Sequence, residues 1–263
     1  MKFDGYTNNI LLENNIIKKE SIQFHDVYLD KQNEYNFLKF LTNIDQNIFL
    51  KPVNFCLEKN KLYSEFEYLK DFKSLENQQI NKKIIDQVVS SIIQVQEINI
   101  QKSNLKKFDY KIFINNFINN IKKPLIEYNG HLKELNESII FLNELPIVLS
   151  HNDLVPGNIL INDKTLILID YDYVMLNNKF FDIASFITET LNDNEENIKY
   201  FIDQCIFKGL ISNNELEILN KVIKYQDLLW TLWANFMIEN NQNEIFKDIF
   251  KNKYNRLKNR KIY

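Results

Sequence analysis

Two cysteines, three histidines, four glycines and four prolines are all that 263 residues contain. Cys56 and Cys205 share no C-x-x-C spacing. That excludes a thiolate metal motif and leads to the expectation of two buried thiols, the state a reducing cytosol maintains. His25, His131 and His151 are scattered and give no zinc-ligand spacing. No apolar run approaches the roughly 20 residues that span a bilayer. The opening residues, Met1 to Gly5, lack the apolar core of a secretion signal. Both absences lead to the expectation of a cytoplasmic chain without stable membrane insertion. A net charge of −3 argues against nucleic acid as the main partner, which favours a strongly basic face. No internal repeat, low-complexity linker or second-domain signal is present.

The chain is instead rich in Asn, Lys and Ile, the imprint of an AT-biased coding sequence. Individual Asn pairs, as at 8–9, 14–15, 115–116, 119–120 and 213–214, therefore carry little information. Hydrophobic residues at 45% and charged residues at 25% are ordinary for a globular protein. The length suffices for one large domain or two lobes.

The first part reads as β-rich. Segments 10–13 and 16–22 are strand candidates around the turn-forming Glu13-Asn14-Asn15. A helix is expected over 29–41, where Phe37, Leu38, Phe40 and Leu41 cluster around Glu34. Segments 48–56 and 61–69 read as two further strands. From about residue 74 the apolar spacing becomes helical, beginning with Ile84, Val88, Val89, Ile92 and Val95. The expected fold is α+β and bilobal, protein-kinase-like: a small β-rich lobe over 1–72 and a larger, mainly helical lobe over 73–263.

The most informative stretch lies inside the second lobe. His151, Asp153 and Asn158 keep an H-x-D-x-x-x-x-N spacing between apolar runs, and Asp170 follows the run 166–169. Phosphoryl transfer from ATP needs a carboxylate to orient and deprotonate the attacking hydroxyl, and oxygen ligands to hold Mg²⁺ against the phosphates. Asp153 fits the first task; Asn158 and Asp170 fit the second. A lone Asp would only cap a turn, so the weight rests on the whole string. His151, at the loop start, reads as a structural ring that holds backbone rather than as a catalytic group.

The same chemistry needs a lysine and a glutamate in the first lobe. Lys18 and Lys19 share one strand and must face opposite ways; Lys18 is preferred, with Glu34 as its partner. Gly5, Thr7 and Asn8 lie in a loop whose backbone N–H groups could cover phosphates. Trp230 and Trp233, three apart on a helix, share a face. Packing in the core is the ordinary use of such a pair, whereas a quaternary ammonium substrate would use it as a wall.

These motifs resemble the choline/ethanolamine kinase family, within the aminoglycoside-phosphotransferase-like branch of the protein kinase fold. The matching residues are Gly5-Tyr-Thr-Asn8, Glu34, the string at 151–158, Ile169-Asp-Tyr-Asp-Tyr173, Asn177, Phe181-Asp-Ile-Ala184, Glu189 and Trp230-Thr-Leu-Trp233. The resemblance implies ATP and Mg²⁺ as cofactors and a small alcohol, choline, as the partner. It implies Asp153 as base and Asn158 and Asp170 as metal ligands. Tyr173, Trp230 and Trp233 would meet the trimethylammonium group, with Asp172 and Glu189 adding negative charge. Asp172 stands where the family usually has Glu, and Asp4 replaces a second glycine. A kinase for ethanolamine, thiamine or an aminoglycoside is the alternative, and a degenerate kinase fold that only binds is a further one. Oligomeric state is not legible.

Overall fold

The computed structural model describes all residues except 1, 4–6, 23–26 and 242, and the side chains of 2, 3 and 77. Its first layer is an antiparallel sheet in the order β1-β2-β3-β5-β4. β1 is Lys2–Phe3, β2 Asn8–Glu13, β3 Ile16–Ser21, β4 Pro52–Glu58 and β5 Lys61–Glu67. Two hairpins build it, and both turn on residues with positive φ: Asn14 and Asn15, then Lys59 and Asn60. Two consecutive left-handed residues make the turn whose twist matches paired strands, and Asn tolerates that backbone better than most residues. The pairings Glu13↔Ile16 and Glu58↔Lys61 close directly on those turns.

Between β3 and β4 lies α1, Lys31–Leu41, capped by Asp30, whose side chain accepts from the Asn33 N–H. Phe37, Leu38 and Leu41 on its inner face are fully buried. The expected strand over 48–56 splits in two. The sheet strand begins only at Pro52, while the residues before it join the second lobe: Leu168 N–H donates to the Ile48 carbonyl at 2.8 Å and Leu50 N–H to the Leu168 carbonyl at 3.3 Å. Proline lacks the donor needed within a ladder, so it sits at the strand start.

The second part is a helical frame around short strands. Its main helices are α2 (Lys82–Gln96), α3 (Tyr110–Ile118), α4 (Asn129–Glu144), α5 (Phe180–Ser185), α6 (Glu195–Phe207), α7 (Leu216–Asn240) and α8 (Ile245–Asn259). Asn81, Asp109 and Asn194 cap α2, α3 and α6 through their side chains, so several of the Asn residues do positional work. α5 continues into one π-helical turn over Phe186–Thr190. Fully buried Tyr110, Phe117, Phe181, Phe186 and Phe201 fill the core, each worth roughly 1.5–3 kcal/mol against exposure.

Two small ladders hold the loops of interest. β7 (Ile147–Ser150) pairs antiparallel with β10 (Met175–Asn178). β6 (Lys73–Ser74), β8 (Ile159–Ile161) and β9 (Leu166–Leu168) form the other. The 151–158 loop therefore runs from one ladder to the other, and Asp170 emerges just past β9. Among the described residues, no helix is long and apolar enough to cross a membrane.

Candidate active site

The loop after β7 is held from below by one carboxylate. Asp182, in the first turn of α5, accepts from the His151 N–H at 2.9 Å and the Asn152 N–H at 2.7 Å. Asn152 takes a left-handed backbone, φ 64°. It donates to the Tyr173 carbonyl at 2.8 Å and accepts from Asn177 at 2.8 Å. The Leu154 N–H reaches Ser185 Oγ at 2.9 Å. The start of the loop, residues 151–154, is thus fixed by α5 and by the 173–177 segment. His151 has the structural role expected of it: its Nε2 lies 3.0 Å from the Ile169 carbonyl and its ring stacks on Phe49.

Asp153 stands on this frame. Asn158 Nδ2 donates to its carboxylate at 2.9 Å and to its backbone carbonyl at 3.0 Å. The Ile169 N–H donates to the Asn158 carbonyl at 3.0 Å, which brings Asn158 beside Asp170. Asp170 also has a left-handed backbone, φ 64°, a conformation Asp tolerates through its short polar side chain. Burial pushes the Asp153 carboxyl well above its usual range, and the charges of Asp170, Glu189 and Asp172 add to that. An acid in such surroundings holds a proton more readily than one in water, which suits a proton acceptor.

The first lobe delivers Lys19, not Lys18. Lys19 Nζ lies 2.6 Å from Asp170, 2.9 Å from Glu34 and 2.9 Å from Asp172. Lys18 points outward and pairs with Glu13 at the surface. Strand alternation puts Lys19 and Ser21 on the buried face with Ile17 packed against the core, leaving Lys18 and Glu20 on the other. Glu34 takes the expected place. Oxygens of Glu34, Asp170 and Asp172 gather within 4.8 Å of one another, but the Lys19 ammonium bonds all three. They form an ion-pair centre rather than a cation-binding triad.

Asp172 lies in the same ion-pair centre. Its carboxylate is 3% exposed and accepts from Lys19, from Lys31 at 2.8 Å and from Asn8 at 2.9 Å. Burial opposes its ionisation, yet Lys19 and Lys31 hold it well below the usual carboxylate range. It is turned toward the first lobe and bonded there by two lysines and Asn8. Asn8 is likewise committed: it lies in β2, buried, donating to Thr7 Oγ1 and to Asp172. The loop expected over it is already strand at Asn8, and its side chain braces the ion-pair centre. Gly5 lies outside the described residues.

An aromatic corner lies within reach of the Asp153 charge. Tyr173 and Trp230 meet edge to face, centroids 5.5 Å apart at 83°, and Trp230 meets Trp233 at 6.4 Å and 88°. Tyr28, which the sequence reading passed over, stacks on Tyr173 at 6.3 Å and 16°. Trp230 is 7% exposed and Trp233 half-buried, so the pair serves the core and the corner together. The corner is not remote from the acids: the charge of Asp153 acts on both Tyr28 and Tyr173, whose hydroxyls burial pushes up. Among the described residues, the Trp230 indole N–H has no hydrogen-bond partner. Glu189, in the π-helical turn, pairs with Lys253 of α8 through one oxygen; its other oxygen is buried without a partner among the described residues. Nearby acids are also paired from the last helix and the residues after it, Asp193 with Arg256 and Arg260, and Asp227 with Arg260 at 2.6 Å.

A sequence model described as choline/ethanolamine kinase matches residues 17–218. The chain belongs to the choline/ethanolamine kinase family. It is 28% identical over 203 residues to a LicA homolog of Mycoplasma capricolum, covering 70% of this chain and 82% of that one. It is 33% identical over 115 residues to protein LicA of Haemophilus influenzae, covering 42% of this chain. That match spans about a third (32%) of the Haemophilus protein. Among solved structures, the choline kinase LicA of Streptococcus pneumoniae superposes with a TM-score of 0.78 at 20% identity, over 98% of this chain and 91% of that one. The fold is therefore that of the choline/ethanolamine kinases, with a β-sheet first part and a helical remainder.

Proposed function

We propose that the protein transfers the γ-phosphoryl group of ATP to the hydroxyl of choline, giving phosphocholine and ADP. The observation that carries this reading is the placement of Asp153. It is braced by Asn158, close enough to Asp170 to feel its charge, and adjacent to an aromatic corner whose rings stand at right angles. The choline oxygen attacks the γ-phosphorus while the bond from that phosphorus to the β,γ-bridging oxygen breaks. ADP leaves, and the hydroxyl proton passes to Asp153. Lys19, fixed by Glu34, faces the phosphates. Asp170 and the carboxamide oxygen of Asn158 form a hard oxygen donor set of the kind Mg²⁺ takes. Such an ion, when bound, neutralises charge on the phosphates.

A quaternary ammonium has no N–H to donate, so it is recognised by aromatic faces and diffuse negative charge. Tyr173, Trp230 and Trp233 supply the faces; Asp153, Asp172 and Glu189 supply the charge. The unpartnered oxygen of Glu189 favours a second reading, ethanolamine, whose ammonium would give it a hydrogen bond. An aminoglycoside needs several free acids, and Asp193 and Asp227 are already paired with Arg256 and Arg260. The reading assigns the nucleotide mainly to residues 1–72 and the alcohol to 73–263, in the cytoplasm, where ATP is supplied.

The testing variant is Asp153→Asn. It should keep the fold and nucleotide binding and lower turnover roughly 10²-fold or more, the scale of lost general-base catalysis. Near-wild-type turnover in the purified variant would remove Asp153 from this role.

A further inference from the structure

The ion-pair centre contains a second lysine. Lys31, in the first turn of α1, is 2% exposed. Its Nζ lies 2.9 Å from Glu34 Oε2 and 2.8 Å from Asp172 Oδ1. Lys19 takes the other Glu34 oxygen and the same Asp172 oxygen, and it alone reaches Asp170. The two lysines therefore share two acids and differ in the third.

The pairs also differ in their surroundings. Glu34 and Asp172 have side chains 2% and 3% exposed, whereas Asp170 is 30% exposed. The Lys19–Asp170 pair is thus the open side of the cluster, and the two Lys31 pairs are its closed side. The helix that carries Lys31 is pinned at its start. Asn33 Nδ2 donates to the Val174 carbonyl at 2.7 Å, its Oδ1 accepts from the Lys106 N–H at 2.8 Å, and Asp30 pairs with the Lys106 ammonium. Lys31 is fixed to the second lobe by the side chains of Asp30 and Asn33 on either side of it, while Lys19 rides on a sheet strand. Taking an ammonium this far out of water costs several kcal/mol, and an apolar residue of similar size would pack at no such cost.

We infer that Lys31 is a positioning residue, the fixed cation of the cleft, which holds Glu34 and Asp172 in place so that Lys19 can exchange Asp170 for nucleotide phosphate. Three carboxylates face two ammoniums in the structure. When Lys19 turns outward to phosphate and releases Asp170, Glu34 and Asp172 still share Lys31, and neither has to move. Without Lys31, the same two acids must keep Lys19 for themselves, and the nucleotide competes with them for it. The inference rests on the phosphotransfer reading above, in which Lys19 is the nucleotide lysine.

The test measures binding of ADP, with and without Mg²⁺, and of choline by calorimetry, alongside unfolding midpoints. The variants are Lys31→Met, Lys31→Arg, Lys19→Met and the charge-matched double variant Lys31→Met/Asp172→Asn. Lys31→Met should weaken ADP binding about ten-fold, within the range of coupling between contacting charges, and leave choline affinity within about two-fold. Lys31→Arg should restore part of the loss. Should Lys31→Met fail to fold, the double variant keeps the charge balance and is expected to fold while still binding ADP weakly. Wild-type ADP affinity in a folded Lys31→Met or double variant would overturn the inference. So would a loss of ADP and choline binding in equal measure with a falling midpoint, which marks a merely structural lysine. If Lys19→Met weakens ADP binding and Lys31→Met does not, only the inference fails. If Lys19→Met has no effect on ADP either, the nucleotide role of Lys19 fails with it.

Discussion

Exchanging which of two adjacent lysines is removed separates the site from its surface. Lys19→Met deletes an ammonium that bonds Glu34, Asp170 and Asp172. The centre then holds three carboxylates against the single ammonium of Lys31. Removing one partner of a buried pair costs about 3–5 kcal/mol. The lower end applies here, because Asp170 is 30% exposed and can turn to water, and because Lys31 still neutralises part of Glu34 and Asp172. About 3 kcal/mol lowers the midpoint of a domain this size by roughly 6–12 °C. Turnover should fall by about 10² or more, the usual loss when one preorganised donor to a reacting phosphate or oxyanion is deleted. Lys18→Met removes an exposed ammonium that pairs only with surface Glu13. It should leave both the midpoint and the Michaelis constant for ATP unchanged. Thermal unfolding and steady-state kinetics on the two proteins decide the matter. A Lys18→Met variant as impaired as Lys19→Met would refute the assignment of strand faces and, with it, the architecture of the nucleotide side.

Two other perturbations address the aromatic corner and the loop. Trp233→Leu keeps an apolar side chain at a half-buried position and removes a ring face, so choline affinity should drop by roughly 1–2 kcal/mol, the scale of a desolvated cation–π contact; unchanged affinity would take Trp233 out of the site. Burial pushes the His151 ring below its usual value, and its Nδ1 has no partner among the described residues, so the folded protein resists the second proton that the unfolded chain binds. Stability is then full above the unfolded value of about 6.5 and is lost as pH falls below it, with a slope of up to about 1.4 kcal/mol per pH unit. Unfolding midpoints from pH 7.5 down to 5.5 should therefore fall more steeply for the wild type than for His151→Gln; parallel curves would contradict a neutral buried ring.

The second-lobe site was legible because its chemistry is local in sequence. Asp153 and Asn158 lie five residues apart on one loop, and Asp170 follows a strand of only three residues, so spacing alone brings them together. The first-lobe side was not, because its key choice is one of parity. Ile16 and Ile17 are both apolar, so alternation alone did not say which lysine points inward. A weak signal was there: Lys18 shares its face with Glu20, and Lys19 shares its face with Ser21, and the face with more charge is the one that goes to water. Lys31 left no trace, since a lysine in a first helical turn is ordinary until Asp172, 141 residues away, comes to meet it. The discounting of Asn pairs was too broad for Asn8, Asn14 and Asn15. Tertiary contact with Asp172 gave the first its role, and left-handed backbone gave the other two theirs. The strand boundary near Pro52 was misplaced because 48–50 are as apolar as a sheet strand but pair with β9 instead.

The central claim is that this site phosphorylates choline. Phosphorus NMR of purified protein with ATP, Mg²⁺ and either choline or ethanolamine reads it directly. The account predicts a phosphocholine resonance that grows with a higher kcat/KM than phosphoethanolamine does. Preferential formation of phosphoethanolamine, or ATP turnover with no phosphate ester of either alcohol, would contradict it.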